Sequence, residues 1–345
     1  MTRDPARDDP PRSEEALEEL LSRPTSSLPA RLATAKGGIV VLGAGGKMGP
    51  SLARMAKRAD STRRVIAVSR WSDPKVAERL AAQGVEIVEA DLLNPRAVDT
   101  LPDAPNVVFM AGQKFGTSAN PAMTWAMNAA VPAFVAERYA GARTVVFSTG
   151  NVYALTPSAR GGSRESDVPQ PVGEYANSCL ARERLFEAAA ARHKSPVAIV
   201  RLNYAHDLRY GVLTDVATRI FNREPVDVRM GYVNVIWQGD ANARALAALG
   251  LAAAPEAYVV NVAGPETLRV ADLARSLGDR LGIAPILTGD EAPDALLSNA
   301  SRMTDLLADP LLPLDTLLDW VASWVRDGGR LLGKPTRFEG RDGRF

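Results

Sequence analysis

The stretch GGIVVLGAGGKMGPSLARMAKRA, residues 37–59, decides how the rest of the chain is read. Four apolar residues, Ile39 to Leu42, run straight into Gly43-Ala44-Gly45-Gly46-Lys47-Met48-Gly49. A helical pattern then opens with Pro50 in its first turn, where a fixed φ and a missing N–H cost nothing. Gly43, Gly46 and Gly49 have the GxxGxxG spacing, with Gly45 an additional glycine. A strand that turns this tightly into a helix aims free N–H groups and the positive end of the helix dipole at one point in front of the sheet. That point suits a pyrophosphate. A tight turn alone would also select glycine, but strand, loop and helix come here in the order that phosphate binding requires.

Outward from this loop, strand-length apolar runs alternate with helical patterns. RVIAVSR (64–70), EIVEADL (86–92), NVVFMAG (106–112), TVVFSTG (144–150) and VAIVRLN (197–203) are separated by PKVAERLAAQG (74–84) and by helical stretches at 121–140 and 175–191. This alternation predicts right-handed βαβ units and an α/β fold: a Rossmann-type, doubly wound parallel sheet buried on both faces. Beyond residue 202 the rhythm loosens. YVNVIW (232–237) and AYVVNVAG (257–264) are interleaved with helices and Pro-rich loops. The expected organisation is an N-terminal arm over 1–36, rich in Pro, Arg, Asp and Glu, with one short helical stretch around Glu14 to Leu21 and lying outside the core; a dinucleotide-binding domain over 37–202; and a smaller C-terminal lobe over 203–345, some of whose segments return to the sheet.

Composition narrows the class further. The chain has 345 residues, 46% of them hydrophobic and 23% charged, enough for a self-sufficient core. No run of about 18 apolar residues occurs, and MTRDPARDDPPRSEE at the start is unlike a signal peptide. The expectation is a cytoplasmic protein without a membrane partner. A net charge of +1 gives no general electrostatic case for nucleic acid, and the single cysteine, Cys179, excludes an internal disulfide and a multi-cysteine zinc site. No metal is expected.

Position on the sheet assigns further cofactor contacts. RVIAVSR ends in Ser69-Arg70, where a preference for NAD usually brings an acidic residue to the ribose hydroxyls; an arginine there holds a 2′-phosphate or stacks on adenine. NADP is therefore favoured over NAD. Asp91-Leu92 after the third strand and Ala111-Gly112 after the fourth fall where the adenine and the nicotinamide-side ribose lie at the carboxyl edge of such a sheet.

Several motifs then recur in a fixed order: Asn128 on the helix after the fourth strand, Phe147-Ser148-Thr149-Gly150-Asn151-Val152-Tyr153, Tyr175-Ala176-Asn177-Ser178-Cys179, Arg201-Leu202-Asn203-Tyr204, and Asn261-Val262-Ala263-Gly264. Together they resemble the extended short-chain dehydrogenase/reductase family, of the NAD-dependent epimerase/dehydratase type. The resemblance implies a tyrosine that exchanges a proton with a substrate oxygen, matched by Tyr175. It also implies a Ser/Thr bonded to that oxygen, matched by Thr149, and a lysine four residues after the tyrosine that lowers its pKa. Here that position is Cys179. Arg182, at i+7 on the same helical face, and His193 or His206 are the cations available to replace it. Only 58 residues lie between Tyr175 and Asn234, which favours a small sugar or sugar acid over a nucleotide-linked sugar. Arg209, Tyr210, Arg229 and Trp237 are candidates to line its pocket. The expected function is hydride transfer on a carbohydrate derivative with Thr149 and Tyr175 as acid/base pair. The alternative is a non-catalytic NAD(P)-binding regulator or scaffold. The resemblance also implies a homodimer formed by the 121–140 and 175–191 helices through Ala181, Ala188 and Ala189.

Overall fold

A computed structural model describes residues 9–334 and 336–344. Seven strands make the central sheet: β1 (Ile39–Leu42), β2 (Val65–Ser69), β3 (Glu86–Glu89), β4 (Asn106–Phe109), β5 (Arg143–Thr149), β6 (Val197–Leu202) and β7 (Tyr258–Val262). They lie in the order β3-β2-β1-β4-β5-β6-β7, every neighbouring pair parallel. The winding reverses between β1 and β4, so the crevice outside their carboxyl ends is where a ligand belongs.

Alternation along β1 shows why both faces are covered. Ile39 and Val41 face Leu52, Met55 and Ala56 of one helical layer, whereas Val40 and Leu42 face Val131, Val135 and Phe186 of the other. All four strand residues are fully buried, each such side chain contributing roughly 1.5–3 kcal/mol.

The helix expected around Glu14 to Leu21 is present, but the N-terminal segment does not lie outside the core. Residues 1–8 of it lie outside the described residues. From Ser13 onward the chain is part of the core: Ser13 caps helix α1 (Glu14–Leu21) by accepting from the Ala16 N–H at 3.2 Å. Leu17, Leu20 and Leu21 pack with Val212, Leu213 and Trp237. Helix α2 (Leu28–Leu32) then buries Leu28 and Leu32 against Leu52 and Leu246. The glutamates lie on the other side of α1, where Glu18 pairs with Arg209 (2.7 Å) and Glu19 with Arg58 (2.8 Å), while its leucines at i, i+3 and i+4 form the stripe that docks.

Helix α3 (Gly49–Ala59) follows the glycine loop, and helix α4 (Gly173–His193) leads from β5 back to β6. Gly173 starts α4 at φ +82°, and a Cβ there would stand 2.3 Å from the Gly343 carbonyl, so the C-terminal segment closes directly onto the helix start. The remaining lobe is built on Val212–Phe221, Val270–Leu281 and Leu314–Arg326, packed through Val216, Ile220, Leu277, Leu317 and Val321. Among the described residues no helix is long and apolar enough to cross a membrane.

Candidate active site

Backbone geometry makes the glycine loop. Gly43 has φ +87°, and a Cβ on it would fall 2.6 Å from the Ala111 nitrogen; one on Gly49 would fall 2.4 Å from the Ala44 carbonyl. The loop is thus pressed against the end of β4 while Gly45 and Gly46 stay accessible. It opens into a cleft of about 1070 Å³, lined among others by Gly43, Gly45, Gly46, Lys47, Met48 and Gly112. A Cβ-free cradle at the switch point, at the start of an 11-residue helix, fits a dinucleotide pyrophosphate.

The other expected contacts divide. Ser69 lies against Gly45, whose added Cβ would be 2.5 Å from the Ser69 hydroxyl oxygen, and Arg70 is exposed just beyond. Asp91 is exposed and accepts from the Leu93 N–H at 3.0 Å. Leu92 and Ala111 are only 6% exposed and pack into the sheet core, so their side chains do not reach the cleft. Asn128 is wholly buried as well: it accepts from Gln113 N (2.8 Å) and Arg182 Nη2 (2.8 Å) and donates to Gln113 O (2.9 Å) and Ser178 Oγ (3.0 Å). Its amide is used up in shaping the loop after β4, which corrects its assignment as a cofactor contact.

Thr149 ends β5 and caps the turn Gly150–Val152, accepting from Asn151 N at 3.2 Å and Asn151 Nδ2 at 3.0 Å. This places its hydroxyl at the cleft, where it is hydrogen-bonded to Tyr175 on the first turn of α4. The Tyr175 hydroxyl also meets the Cys179 thiol, one helical turn on. Burial holds the Tyr175 phenol well above its ordinary pKa, Cys179 adds to the rise, and Arg182 works against it. Burial raises the Cys179 thiol too.

Arg182 is not a surface charge. It is 6% exposed and donates from Nη1 to the Phe147 carbonyl at 2.8 Å and from Nη2 to Asn128 Oδ1 at 2.8 Å. Its Nε has no hydrogen-bond partner among the described residues. A Cβ on Gly112 would stand 2.5 Å from Nη2, so the guanidinium lies directly under a residue of the cleft wall. The histidines are engaged elsewhere: His193 is at the surface against Glu137 (3.2 Å), and His206 is buried against Gly211, burial pushing its pKa down to about 3.

Of the proposed pocket residues, Arg209 and Tyr210 line the cleft. Arg229 is instead exposed and paired with Asp227 at 2.5 Å, and Trp237 is a core residue, edge-on to Trp320 at 5.6 Å. The sequence reading missed Lys114 and Phe115, which reach the cleft from the loop after β4, and Tyr204 and Lys334 from the C-terminal half. Among the described residues no group of three or more His, Cys, Asp or Glu is arranged to hold a metal ion.

A doubly wound parallel sheet, a glycine cradle at its switch point and a Tyr–Thr pair beside it define a dinucleotide-binding α/β protein. Residues 39–222 match the sequence model described as the NAD dependent epimerase/dehydratase family, over more than half of the chain, and the chain belongs to that family. Three solved structures are similar in fold. MoeE5 in complex with UDP-glucose and NAD has 21% identity over 85% of this chain and 99% of its own, with TM-score 0.68. UDP-glucose 4-epimerase of Thermus thermophilus with NAD has 17% identity over 84% and 98%, TM-score 0.69. UDP-glucuronic acid 4-epimerase of Bacillus cereus with UDP-glucuronic acid and NAD has 17% identity over 84% and 99%, TM-score 0.67. No curated protein matches the chain.

Proposed function

We propose that this protein is an NAD(P)-dependent epimerase, dehydratase or oxidoreductase of a small carbohydrate derivative, working with Tyr175 and Thr149 as its acid/base pair and with Arg182 as the cation in place of the family lysine. The observation that carries this reading is the Tyr175–Thr149 hydrogen bond, with the buried Arg182 guanidinium near enough for its charge to act on the phenol. The nicotinamide, when bound, accepts and returns a hydride. The backbone of Gly43 to Gly49 holds the cofactor's pyrophosphate, and Gly112 lets its ribose approach the cleft wall. Tyr175 carries its proton at Oη and, being held protonated by burial, starts as an acid toward a substrate carbonyl oxygen. Thr149 bonds the same oxygen. Arg182 offsets the negative charge left on the phenol; unassisted, ionising a phenol of ordinary pKa at pH 7 costs about 4 kcal/mol. The cofactor-bound epimerases among the similar folds support a nicotinamide cofactor and a carbohydrate substrate, although theirs are UDP-linked sugars rather than the small ones proposed here.

Arg182→Gln is expected to lower turnover by about 10–100-fold and to move the pH limb that Tyr175 contributes upward, since the cation that lowers its pKa is gone. Arg182→Lys should restore part of both. A pH profile identical in Arg182→Gln and the wild type would remove the guanidinium from the mechanism. The readout is a screen of sugars, sugar acids and polyols with NAD and NADP, followed both at the reduced-cofactor absorbance and by mass spectrometry of products. The Cys179 thiol in the lysine's place favours the second reading, a cofactor-binding regulator, in which NAD(P) binds and no compound of the screen turns over.

NADP is the preferred cofactor in this proposal because Arg70 is exposed at the end of β2 beside Gly45. Arg70→Ala should weaken NADP by roughly 5–20-fold and NAD by much less. Calorimetric titration showing equal losses for both would return Arg70 to the solvent. We also propose a cytoplasmic homodimer. Ala189 is buried within its own chain, so the pairing face carries Ala181, Ala188 and the exposed Met123 and Trp125 instead. Light scattering at micromolar concentration should return twice the 36.8 kDa chain mass; the single mass would refute the pairing.

A further inference from the structure

The crevice between the carboxyl ends of β1 and β4 is bridged by a ring that belongs to neither strand. Tyr210 reaches it from the chain beyond β6. On one side the centre of its ring stands 4.2 Å from Lys47 Nζ of the glycine loop after β1, and on the other it meets Phe115 of the loop after β4 edge-on at 6.2 Å. Lys47 is held in place for this contact by donating from Nζ to the Ala205 carbonyl at 3.1 Å, and Asp207 supplies its counter-charge. Gly45, Gly46, Gly112 and all three bridging residues line the same cleft. A cofactor seated on the glycine loop, with its ribose at Gly112, therefore lies in the crevice that this bridge crosses.

The backbone that carries the ring is fixed, whereas the ring is held by side-chain contacts alone. Asp207 and Tyr210 exchange both backbone hydrogen bonds, each 2.9 Å, and close a tight turn. Arg209 secures that turn: its guanidinium donates to Asp207 at 2.7 Å and pairs with Glu18 of α1 at 2.7 Å, and its carbonyl accepts from Leu332 N at 3.0 Å. Asp207, Leu208 and Arg209 are buried, while Tyr210 is half-buried and Phe115 exposed. A cation–π contact and an edge-on aromatic contact each favour the bridged arrangement by roughly 2–10-fold. That is enough to keep the ring closed most of the time, and small enough for a rotation about its side-chain bonds to undo.

We propose that Tyr210 is a gate on the cofactor crevice: its ring closes between Lys47 and Phe115 and swings aside for a nicotinamide cofactor to enter or leave. This rests on the cofactor site assigned above and adds to it the step that sets how fast the cofactor exchanges. A gate that closes alike over the empty and the occupied crevice slows entry and departure by the same factor and leaves the equilibrium affinity as it is. A ring that only stacks on the bound cofactor slows departure alone.

Stopped-flow fluorescence of NADH and NADPH on the full chain separates these two roles. Association is read from the concentration dependence of the binding rate, and dissociation from displacement by excess NAD or NADP. Tyr210→Ala should accelerate both by about 10-fold and keep Kd within about twofold of the wild type. Tyr210→Phe keeps the ring and both of its contacts, so its two rates should stay within about twofold of the wild type. Faster dissociation with unchanged association in Tyr210→Ala overturns the gate and makes Tyr210 a contact of the bound cofactor. Unchanged rates in Tyr210→Ala, or a Tyr210→Phe variant as fast as Tyr210→Ala, overturn it too. Failure of the functional reading looks different: wild-type protein that binds neither NADH nor NADPH, in which case the gate falls with the cofactor site.

Discussion

Tyr175→Phe should lower kcat by about 10²–10⁴-fold on any substrate the screen identifies while leaving NAD(P) affinity nearly unchanged. The substitution removes one oxygen and keeps the ring, so the helix start and the packing of Val152, Tyr153 and Cys179 around it survive. What is lost is the group of the site that both carries a transferable proton and is hydrogen-bonded to Thr149. KM should change much less than kcat, because the phenol matters most as charge develops on the substrate oxygen. Thr149→Val should cost less than Tyr175→Phe, since it removes a hydrogen bond and no proton. Full turnover by Tyr175→Phe would sink the acid/base role and, with it, the Arg182 argument that depends on it.

Much of the fold is legible in the sequence because a parallel sheet covered on both faces requires near-continuous apolar strands, and IVVL, VIAVS and NVVF read as such. The glycine loop is legible for a related reason: a backbone at φ +87° against the Ala111 nitrogen admits little else than glycine. The N-terminal helix misleads because its four glutamates dominate the composition while three leucines carry the packing. In the site, the i+7 spacing of Arg182 from Tyr175 is visible in the sequence, but its burial is not, since that depends on Asn128 and Gly112 arriving from another segment. Asn128 shows the converse error. Its position along the chain points to a cofactor contact, yet three-dimensional closure leaves none of its polar atoms facing the cleft. The bridge of Lys47, Tyr210 and Phe115 has no sequence signature at all, because the three residues meet only once the chain beyond β6 has folded across the crevice.

Directly behind the site, Glu183→Ala is expected to cost about 3–5 kcal/mol of folding stability. Glu183 is fully buried on α4, two turns beyond Tyr175, and receives Arg201 of β6 through Nε (3.0 Å) and Nη2 (2.7 Å) and Ser148 of β5 through its hydroxyl (2.5 Å). Arg201 donates a further bond from Nη1 to the Tyr153 hydroxyl (2.8 Å), which in turn donates to Asn261 of β7 (2.9 Å). The network therefore ties α4 to three adjacent strands. Truncating Glu183 leaves a guanidinium that is 3% exposed without its counter-charge, and that uncompensated charge is the larger part of the loss. Replacing both ends at once, Glu183→Leu with Arg201→Met, should recover most of the stability, because no buried charge then remains. Denaturant unfolding of the two variants checks this. A loss under about 1 kcal/mol for Glu183→Ala, or a double variant less stable than the single one, would show that the pair is not what holds α4, and Tyr175 with it, against the sheet.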